Sequence, residues 1–489
     1  MRGTRLPRRR FLASCAATGA VHAARPRARA TVLGANDRVR IAVLGLNGRG
    51  KAHLEGYLGI GGVEIAAVVD PDATVLGRTL EQLGNRAGTE PLTTVGVADF
   101  RRVLDDPSID AVSIAAPNHW HALMTILASQ AGKHVYVEKP LSHDVVEGRI
   151  AVAAAARHGV VVQHGTQRRS DANIAGLHEA LKNGTLPRLK VAYGYCCKPR
   201  AGIGVAADGD PPAALDWELW KGPAVIDRYH PNLVHYNWHW FWKTGNGDLN
   251  NQGTHQLDVA SWAIDDDQVH PVRVMALGGR FAWRDQGETP NTMFAVAEYA
   301  NGQVVLFNVR NVNYEGYTRQ VANEYYLEDG SLVVGEGPFL IRRPGGRDFE
   351  PLEVAPGKVT PGGNWGSFIA AVRAGDPRLA NGNASDAHRS CVLGHLMNNS
   401  YRLGEEVPFN ERALRFAGRP DVTGHFLALH ETMRDGVGIP EDGASYRVGP
   451  LLTFDPVSER HVGEHAEAAN RLLKDPANPG FEVPPLDRV

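Results

Sequence analysis

Apolar runs and helix-like segments alternate along the first third of the chain. Short apolar runs at residues 41–44, 63–69 and 111–116 have the length and the flanking turn residues of buried strands. Residues 51–58 between the first two runs carry helix-like spacing, and a further apolar run follows at 134–137. Strands that alternate with helices are typical of a parallel sheet covered on both faces, so the pattern predicts a doubly wound α/β domain.

The first strand ends in a glycine-rich turn, and the second ends in an acid, Asp70. Glycines let the backbone turn tightly and approach a pyrophosphate, which then rests on the amides at the helix N-terminus. The order strand, glycine turn, helix, strand and acid therefore predicts a dinucleotide-binding Rossmann unit rather than an ordinary turn. The turn residues predicted to contact the cofactor are Gly45, Asn47, Gly48, Arg49 and Gly50.

Asp70 favours one of the two nicotinamide cofactors over the other. Its carboxylate would accept hydrogen bonds from the adenosine ribose hydroxyls, and its charge would repel a 2′-phosphate. Asn47 stands where the pattern has its middle glycine, but Asn tolerates positive φ better than most residues. We therefore predict that the cofactor is NAD, with NADP less favoured.

Length and composition describe an ordinary globular protein of more than one domain. The 489 residues exceed a single core, and a typical size of about 150 residues per domain predicts two or three domains. With 43% hydrophobic residues, 22% charged residues and a formal net charge of −2, the chain lacks the basic stripe of a nucleic-acid-binding protein. The sequence also shows no apolar run as long as a membrane span.

The N-terminal segment resembles a twin-arginine export signal. Arg8 and Arg9 precede a weakly apolar, alanine-rich stretch that offers small residues for cleavage. A disordered basic leader is the alternative interpretation. We predict that residues 1–36 direct export to the periplasm or the cell exterior, and that residues 37–164 form the nucleotide domain.

Polar clusters follow two later strands, at the sheet edge where ligands of open α/β sheets bind. One strand leads into Pro-Asn-His-Trp-His at 117–121, and the next leads from Ala-Gly-Lys-His-Val at 131–135 into Glu-Lys-Pro at 138–140. These motifs resemble the Gfo/Idh/MocA oxidoreductases, the group of glucose–fructose oxidoreductase and inositol dehydrogenase. The resemblance implies that Lys139 lies beside the nicotinamide and transfers a proton at the reacting carbon. Further cofactor contacts are predicted at Pro117, Asn118, His121 and Glu138.

Beyond residue 164 the pattern changes to that of an antiparallel sheet. Strands are predicted at 292–299 and 303–309, and Asn301-Gly302 between them is a strong hairpin signal. The resemblance implies an α+β domain over residues 165–410, with a large, mostly antiparallel open sheet whose exposed face joins subunits into homo-oligomers. Its closing helices would pack back on the Rossmann domain. Residues 411–489 form an extension to which no chemistry is assigned.

A second polar group, in this later domain, is predicted to bind the substrate. His255 and Asp258 lie three residues apart on one face of a predicted helix. The resemblance makes His255 a catalytic acid/base or a hydrogen-bond partner of the reacting hydroxyl; a buried structural histidine is the alternative. Asp258 either holds the imidazole tautomer or caps a helix. Many relatives carry an aspartate where this chain has Asn251, whose amide orients a substrate but cannot take a proton.

Aromatic residues crowd the segment at 217–242, just before this helix. Indole faces stack on sugars, so Trp240 is predicted to contact the substrate, and Arg168 is predicted to contact its hydroxyl or carboxylate groups. A satellite core under a long loop is the alternative for the aromatic residues. The histidines nearby lack the carboxylate or cysteine spacing of a zinc site, and we predict no metal.

These features favour one function and leave two alternatives open. We predict an exported NAD-dependent oxidoreductase acting on a carbohydrate or polyol, which holds its cofactor tightly because free NAD is scarce outside the cytoplasm. Lys139 or His255 would take the hydroxyl proton while the hydride moves to the nicotinamide. The alternatives are a glycosidase that oxidises its sugar transiently, and a non-catalytic sugar or nucleotide sensor.

Overall fold

The computed structural model describes residues 38–87, 93–315, 320–414, 416 and 419–489. The predicted export signal, including Arg8 and Arg9, lies outside the described residues. Within the described ranges, no helix combines the length and the apolar character that crossing a membrane requires.

The first domain is the predicted doubly wound sheet. Its described strands are β1 (Val39–Leu44), β2 (Val63–Val69), β3 (Val95–Val97), β4 (Ala111–Ile114), β5 (His134–Val137) and β6 (Val162–His164). The helices are α1 (Gly50–Leu58), α2 (Ala73–Ala87), α3 (Arg101–Leu104), α4 (Asn118–Gln130) and α5 (Val145–His158). All neighbouring strands are parallel, in the order β3-β2-β1-β4-β5-β6. The chain winds in opposite directions from β1 and β4, so a crevice opens between the carboxyl ends of these two strands.

Apolar residues on both faces of the strands explain why this sheet is buried. Ala42 and Leu44 of β1 face a core formed with α4 and α5, while Ile41 and Val43 face the core on the side of α1. A strand covered on both sides needs a continuous apolar run rather than an alternating one. The sequence has such runs at each of the predicted strands of this domain.

The second domain contains one large, mostly antiparallel sheet. Its described strands are β7 (Leu189–Cys197), β8 (Arg273–Gly279), β9 (Thr292–Glu298), β10 (Val304–Arg310), β11 (Gln320–Leu327), β12 (Leu332–Val334), β13 (Phe339–Arg342), β14 (Glu350–Leu352), β15 (Glu405–Pro408), β16 (Ser445–Val448), β17 (Leu452–Asp455) and β18 (Arg460–Val462). Among these strands, β7 and β10 form the parallel pair. The predicted hairpin joins β9 and β10, with Gly302 at φ +85°. Residues past 410 supply β16, β17 and β18, so the C-terminal extension is continuous with this sheet.

The helices of the second domain connect it to the first. They are α6 (Ala172–Lys182), α7 (Trp217–Lys221), α8 (Gly247–Asn251), α9 (Gly253–Ala263), α10 (Gly363–Ala374), α11 (Ala384–Arg402), α12 (Pro420–Glu431) and α13 (Ala466–Arg471). Leu257 of α9 and Leu393 of α11 pack on the inner face of the large sheet. Phe368 of α10 enters the core of the first domain, and Cys391 of α11 packs there as well. Helices of the second domain therefore pack against both faces of the first sheet.

The outer face of the large sheet is covered by the chain itself. Phe426 and Leu429 of α12 lie in one core cluster with Phe294 of β9 and Leu306 of β10. Phe409 and Met433, which flank this helix, belong to the same cluster. The face on which the resemblance places a subunit interface thus carries an intramolecular cover over its central strands.

Candidate active site

The glycine-rich turn after β1 forms one wall of a cavity of about 350 Å³ at the crevice. Gly45 has φ +85°, and a Cβ there would lie 2.6 Å from the carbonyl oxygen of Ala115. A Cβ on Gly50 would lie 1.9 Å from the carbonyl oxygen of Gly45, so both positions require glycine. At Gly48 a Cβ would meet no described atom within 4 Å, which leaves room for a phosphate. Gly45, Asn47, Gly48 and Arg49 line the cavity, and Gly50 supports the turn from behind.

Asp70 lies at the end of β2 and lines the same cavity. Its carboxylate accepts hydrogen bonds from the backbone N–H groups of Leu46, at 2.9 Å, and Asp72, at 3.0 Å. Burial raises the pKa of Asp70, and these two amides oppose the rise. The carboxylate is therefore held in place at the position where a Rossmann domain binds the adenosine ribose.

Glu138, at the end of β5, organises the centre of the cavity. Arg49 donates to its Oε1 at 2.7 Å, and His53 lies 3.4 Å from the same oxygen. Burial raises the pKa of Glu138, but the His53 hydrogen bond and the charges of Arg49 and Lys139 outweigh it, so the pKa lies well below its usual value. The buried carboxylate stays ionised and places a negative charge directly beside Lys139.

Lys139 and His255 approach the cavity from the two different domains, and both line it. Burial lowers the pKa of Lys139, and the charges of Glu138 and Asp248 oppose part of that effect. Burial and the neighbouring Lys139 charge lower the pKa of His255 to about 3, so its imidazole is neutral at physiological pH. The cavity thus holds an amine with an increased tendency to release its proton and a neutral imidazole.

Asn251 links Lys139 to a hydrogen-bond network of the second domain. Lys139 Nζ donates to Asn251 Oδ1 at 3.3 Å, and Asn251 Nδ2 donates to the hydroxyl of Tyr236 at 3.4 Å. Arg200 donates to that hydroxyl at 3.0 Å and forms a 2.8 Å ion pair with the buried carboxylate of Asp248. The amide at position 251 therefore orients the amine of Lys139 without exchanging a proton with it.

Sequence reasoning did not select Tyr236, His239 or Arg200 as site residues. Tyr236 and His239 line the cavity, and His239 Nδ1 donates to the carbonyl of Tyr236 at 2.6 Å. Burial lowers the pKa of His239 to about 3, so its Nε2 carries a lone pair. The sequence signal for Tyr236 and His239 is the density of aromatic side chains around them, which does not distinguish cavity-lining residues from core residues. No local pattern marks Arg200.

The polar cluster after β4 serves the fold as well as the cavity. Pro117, Asn118 and His121 all line the cavity. The two ring nitrogens of His121 lie 2.6 Å from the carbonyl of Pro140 and 2.7 Å from that of Ala116. This ring therefore bridges the main chain at the ends of β4 and β5. Asn118 donates to Asn246 of the second domain at 3.4 Å, a contact that crosses the crevice.

Three of the predicted substrate residues lie outside this cavity. Asp258 is fully buried and pairs with Arg169 at 2.9 Å, so its carboxylate fastens α9 instead of contacting substrate or the imidazole of His255. The guanidinium of Arg200 packs over Trp240, with its Cζ atom 5.5 Å from the centre of the Trp240 ring. Arg168 pairs with Glu336 in an adjoining cavity of about 460 Å³, which His255 also lines. Arg168 is thus the member of this group that remains next to the site.

The opposite wall of the cavity is built by residues 198–244, here called the strap. Leu219, Trp220 and Trp238 of the strap line the cavity across from the glycine turn. The backbone N–H of Ala73 donates to the carbonyl of Ala214 at 2.9 Å, which fixes the strap to the start of α2. A buried cluster holds the strap together: Leu215, Trp220, Tyr229, Leu233, Trp238 and Phe241. The satellite core considered for the aromatic segment is thus present, while contact of its aromatic residues with a sugar stays a prediction.

Two contacts join the strap to the first domain, and a third joins it to the C-terminal segment. His235 lies 3.1 Å from the carboxylate of Asp72, which follows Asp70 at the end of β2. Trp120 of α4 donates its indole N–H to the carbonyl of Trp220 at 2.9 Å. Asn478, near the C-terminus, donates to the carbonyls of Gly222 and Ala224, at 2.7 Å each. Side chains from three distant parts of the chain therefore hold the strap in place.

Two family models match the chain, one for each domain. Residues 39–166 match the Gfo/Idh/MocA model described as an oxidoreductase family with an NAD-binding Rossmann fold. Residues 201–312 match the model described as the C-terminal alpha/beta domain of that oxidoreductase family. The second match includes most of the strap and the helix that carries His255.

Individual relatives match over different lengths. The chain is 39% identical to the uncharacterized oxidoreductase YrbE of Bacillus subtilis over 89 residues, 18% of this chain and 26% of YrbE. It is 23% identical to levoglucosan dehydrogenase of Pseudarthrobacter phenanthrenivorans over 341 residues, 65% of this chain and 80% of that enzyme. It is 34% identical to an alpha-N-acetylgalactosaminidase of Shewanella oneidensis over 97 residues, 20% of this chain and 21% of that enzyme.

Among solved structures, a levoglucosan dehydrogenase in complex with NADH and levoglucosan shares the fold. Its TM-score is 0.52 at 18% sequence identity, over 73% of this chain and 95% of that chain.

Proposed function

The chain belongs to the Gfo/Idh/MocA oxidoreductase family, and on that basis we propose that it transfers a hydride between a sugar or polyol carbinol and the nicotinamide of NAD. The observation that carries the proposal is the meeting of Lys139 and His255 in one cavity with the glycine turn and Asp70. Levoglucosan dehydrogenase, one of the relatives, has this reaction class in its name.

The residues of the first wall fit a dinucleotide. The open space at Gly48 and the N-terminus of α1 suit the pyrophosphate, and Asp70 suits the adenosine ribose. NAD, when bound, supplies the hydride acceptor for the oxidation. Everything else in the reaction depends on residues of this chain, which must hold the carbinol and remove its proton.

Lys139 suits the role of base better than His255. An effective base has a pKa near the working pH, because it must be unprotonated and yet hold the proton it receives. Burial lowers the pKa of Lys139 toward that range from above, whereas a pKa of about 3 makes His255 a poor proton acceptor. In our proposal Lys139 takes the hydroxyl proton, His255 accepts a hydrogen bond that orients the hydroxyl, and Asn251 keeps the amine in position.

The strap supports the proposal of a tightly held cofactor. It covers the cavity from the side opposite the glycine turn and is fastened to Asp72, Trp120 and Asn478. We propose that these contacts slow the release of a bound nucleotide. A second substrate would then return the cofactor to its starting state within the same site.

The test begins with the purified full-length protein. We expect that denaturing it without added nucleotide releases NAD, identified by mass spectrometry, and that a screen of sugars and polyols finds one that reduces the bound cofactor. Lys139→Met protein should release the same nucleotide and fail to reduce it. Wild-type protein that neither contains nor binds a nicotinamide cofactor would contradict the proposal, and it would also remove the main argument against a non-catalytic sensor.

A glycosidase is the second candidate, and two observations favour it. Position 251 carries an amide, and 97 residues of the chain are 34% identical to part of an alpha-N-acetylgalactosaminidase. Such an enzyme would oxidise a ring carbon, remove a proton from the neighbouring carbon and expel the glycosidic leaving group. Water would then add to the resulting enone, and return of the hydride would leave no net oxidation. Cleavage of nitrophenyl glycosides by the protein without added NAD or a second substrate would support the glycosidase. Accumulation of reduced cofactor in the presence of sugar would contradict it.

We also propose that residues 1–36 direct export, on the basis of Arg8 and Arg9. Twin-arginine export carries folded proteins, which suits an enzyme that acquires its nucleotide in the cytoplasm. Cell fractionation of the wild type and of an Arg8→Lys, Arg9→Lys double variant tests this. We expect the wild type outside the inner membrane and the variant inside.

A further inference from the structure

Outside the candidate active site, two histidines and a glutamate meet where three parts of the chain join. His270 precedes β8, His388 lies on α11, and Glu459 lies in the turn between β17 and β18. One possible ligand atom from each residue lies within 4.8 Å of the other two. Among the described residues, this is the group of three histidine, cysteine or acidic side chains whose ligand atoms lie this close together.

The contacts within the cluster converge on one oxygen. His270 Nε2 lies 3.2 Å from Glu459 Oε1, and His388 Nε2 lies 3.0 Å from the same atom. Zinc–nitrogen and zinc–oxygen bonds of about 2.0–2.1 Å in a tetrahedron place neighbouring ligand atoms about 3.3 Å apart. The two measured distances therefore fit adjacent edges of such a site with only small movements of the side chains.

The second oxygen of Glu459 faces a cation. Arg149 of α5 lies 3.9 Å from Oε2, and no described residue forms a hydrogen bond with that oxygen. Carboxylates that bind metals commonly have a second partner of this kind, which holds them in orientation. The arrangement separates the two oxygens of Glu459 into one that faces the imidazoles and one that faces a guanidinium.

Burial and backbone conformation also distinguish these residues. The side chains of His270, His388 and Glu459 are 1%, 8% and 13% exposed, so the groups are withdrawn from bulk water. Glu459 has φ +51°, a left-handed conformation that is costly for a residue other than glycine. The fold therefore keeps this carboxylate against the imidazoles at some conformational cost.

We propose that His270, His388 and Glu459 bind one zinc ion, which ties the β17–β18 hairpin to α11 and to the start of β8. Two neutral imidazoles and one carboxylate are a ligand set that zinc prefers, and three protein ligands leave a fourth position for water. The ion joins the C-terminal extension to the rest of the fold. This site is separate from the proposed oxidoreductase chemistry and does not depend on it.

The alternative is a carboxylate that accepts hydrogen bonds from both histidines without any ion. Glu459→Gln separates the two interpretations, because the amide oxygen still accepts those hydrogen bonds but the charge that binds a cation is lost. A matched control is His461→Gln. His461 is a buried histidine of the same hairpin and is not a member of the cluster.

The experiment uses tag-free, full-length protein, stripped with a chelator, loaded with zinc chloride, dialysed and analysed by mass spectrometry of the metal. We expect one zinc per chain in the wild type and in His461→Gln, and loss of that zinc in Glu459→Gln. Equal zinc content in the wild type and Glu459→Gln, or no retained zinc in the wild type, would overturn the proposal.

A second measurement needs no variant and therefore does not depend on whether one folds. Cobalt(II) bound in a tetrahedral nitrogen and oxygen site gives visible absorption bands that zinc abolishes on competition. We expect these bands with the stripped wild type, together with an unfolding midpoint that rises by about 2 °C or more at saturating zinc. Absence of both the bands and the shift would contradict the proposal.

Discussion

The two walls of the cavity are built on different physical bases. The first wall consists of strand ends in a parallel sheet, where the backbone ladder positions Gly45, Asp70 and Lys139. The strap has little regular backbone pairing and is held by aromatic packing and a few side-chain hydrogen bonds. We therefore expect the first wall to determine the chemistry and the type of cofactor, and the strap to determine how fast the cofactor exchanges.

The largest effect expected on the first wall is at Lys139. Removing a general base costs about 10²- to 10⁴-fold in kcat, and we expect a loss in this range for Lys139→Met. Lys139→Arg should be nearly as inactive, because a guanidinium keeps the charge but does not release its proton. Steady-state kinetics and nucleotide content are measured together. A variant that loses its cofactor in proportion to its activity would assign Lys139 to binding rather than catalysis.

The pH profile should identify the same group. Lys139 acts as a base only when unprotonated, so kcat/KM should rise with pH up to the pKa of Lys139 and then level off. Because burial lowers that pKa, the midpoint should lie below the usual lysine value of about 10.4. The residual activity of Lys139→Met should lack this limb. A limb that persists in the variant would belong to another group.

Two glycines of the same turn should respond differently to alanine. In Gly50→Ala the new Cβ would lie 1.9 Å from a carbonyl oxygen, so the backbone must shift, at a cost of about 1–3 kcal/mol in the free energy of unfolding. Gly48→Ala has open space and should fold with nearly wild-type stability while binding NAD less well. Chemical denaturation and nucleotide titration distinguish the two. Equal stability of both variants would show that the turn tolerates the shift.

The strap should affect exchange more than chemistry. Asn478→Ala removes two hydrogen bonds that hold Gly222 and Ala224, each worth about 0.5–1.5 kcal/mol, so NAD release should accelerate by roughly tenfold with little change in kcat. Asn470→Ala is the matched control, because Asn470 also makes two hydrogen bonds in the C-terminal segment but contacts His461 outside the strap. Similar release rates in both variants would mean that the strap does not limit exchange.

The first wall could be predicted from the sequence more fully than the strap. The strands, the glycine turn and the residues at the ends of β4 and β5 are encoded locally, so the Rossmann fold and the placement of Lys139 could be predicted. The role proposed for His255 came from the resemblance to the Gfo/Idh/MocA oxidoreductases and not from its spacing to other residues. The ion pair of Asp258 with Arg169 could not be predicted, because the two residues lie 89 positions apart and no local pattern indicates such a contact.

Long-range packing accounts for the other features that sequence patterns did not reveal. The cover of α12 over the large sheet depends on contacts between Phe426 and strands more than a hundred residues earlier. The proposed zinc ligands are similarly dispersed, with Glu459 lying 189 residues from His270 and 71 from His388. Metal prediction from sequence relies on short spacings, so this set gave no signal.

The smallest expected effect concerns cofactor choice at Asp70. Asp70→Asn keeps an oxygen to accept one of the amides from Leu46 and Asp72 but removes the charge that repels a 2′-phosphate. We expect the ratio of NAD to NADP affinity to fall by about tenfold, equivalent to about 1.4 kcal/mol, measured by competitive titration. Asp72→Asn is the control, since that carboxylate contacts His235 in the strap and should alter release without altering the ratio. If both variants shift the ratio equally, the charges of Asp70 and Asp72 repel the 2′-phosphate together. Asp70 alone would then not determine the choice of cofactor.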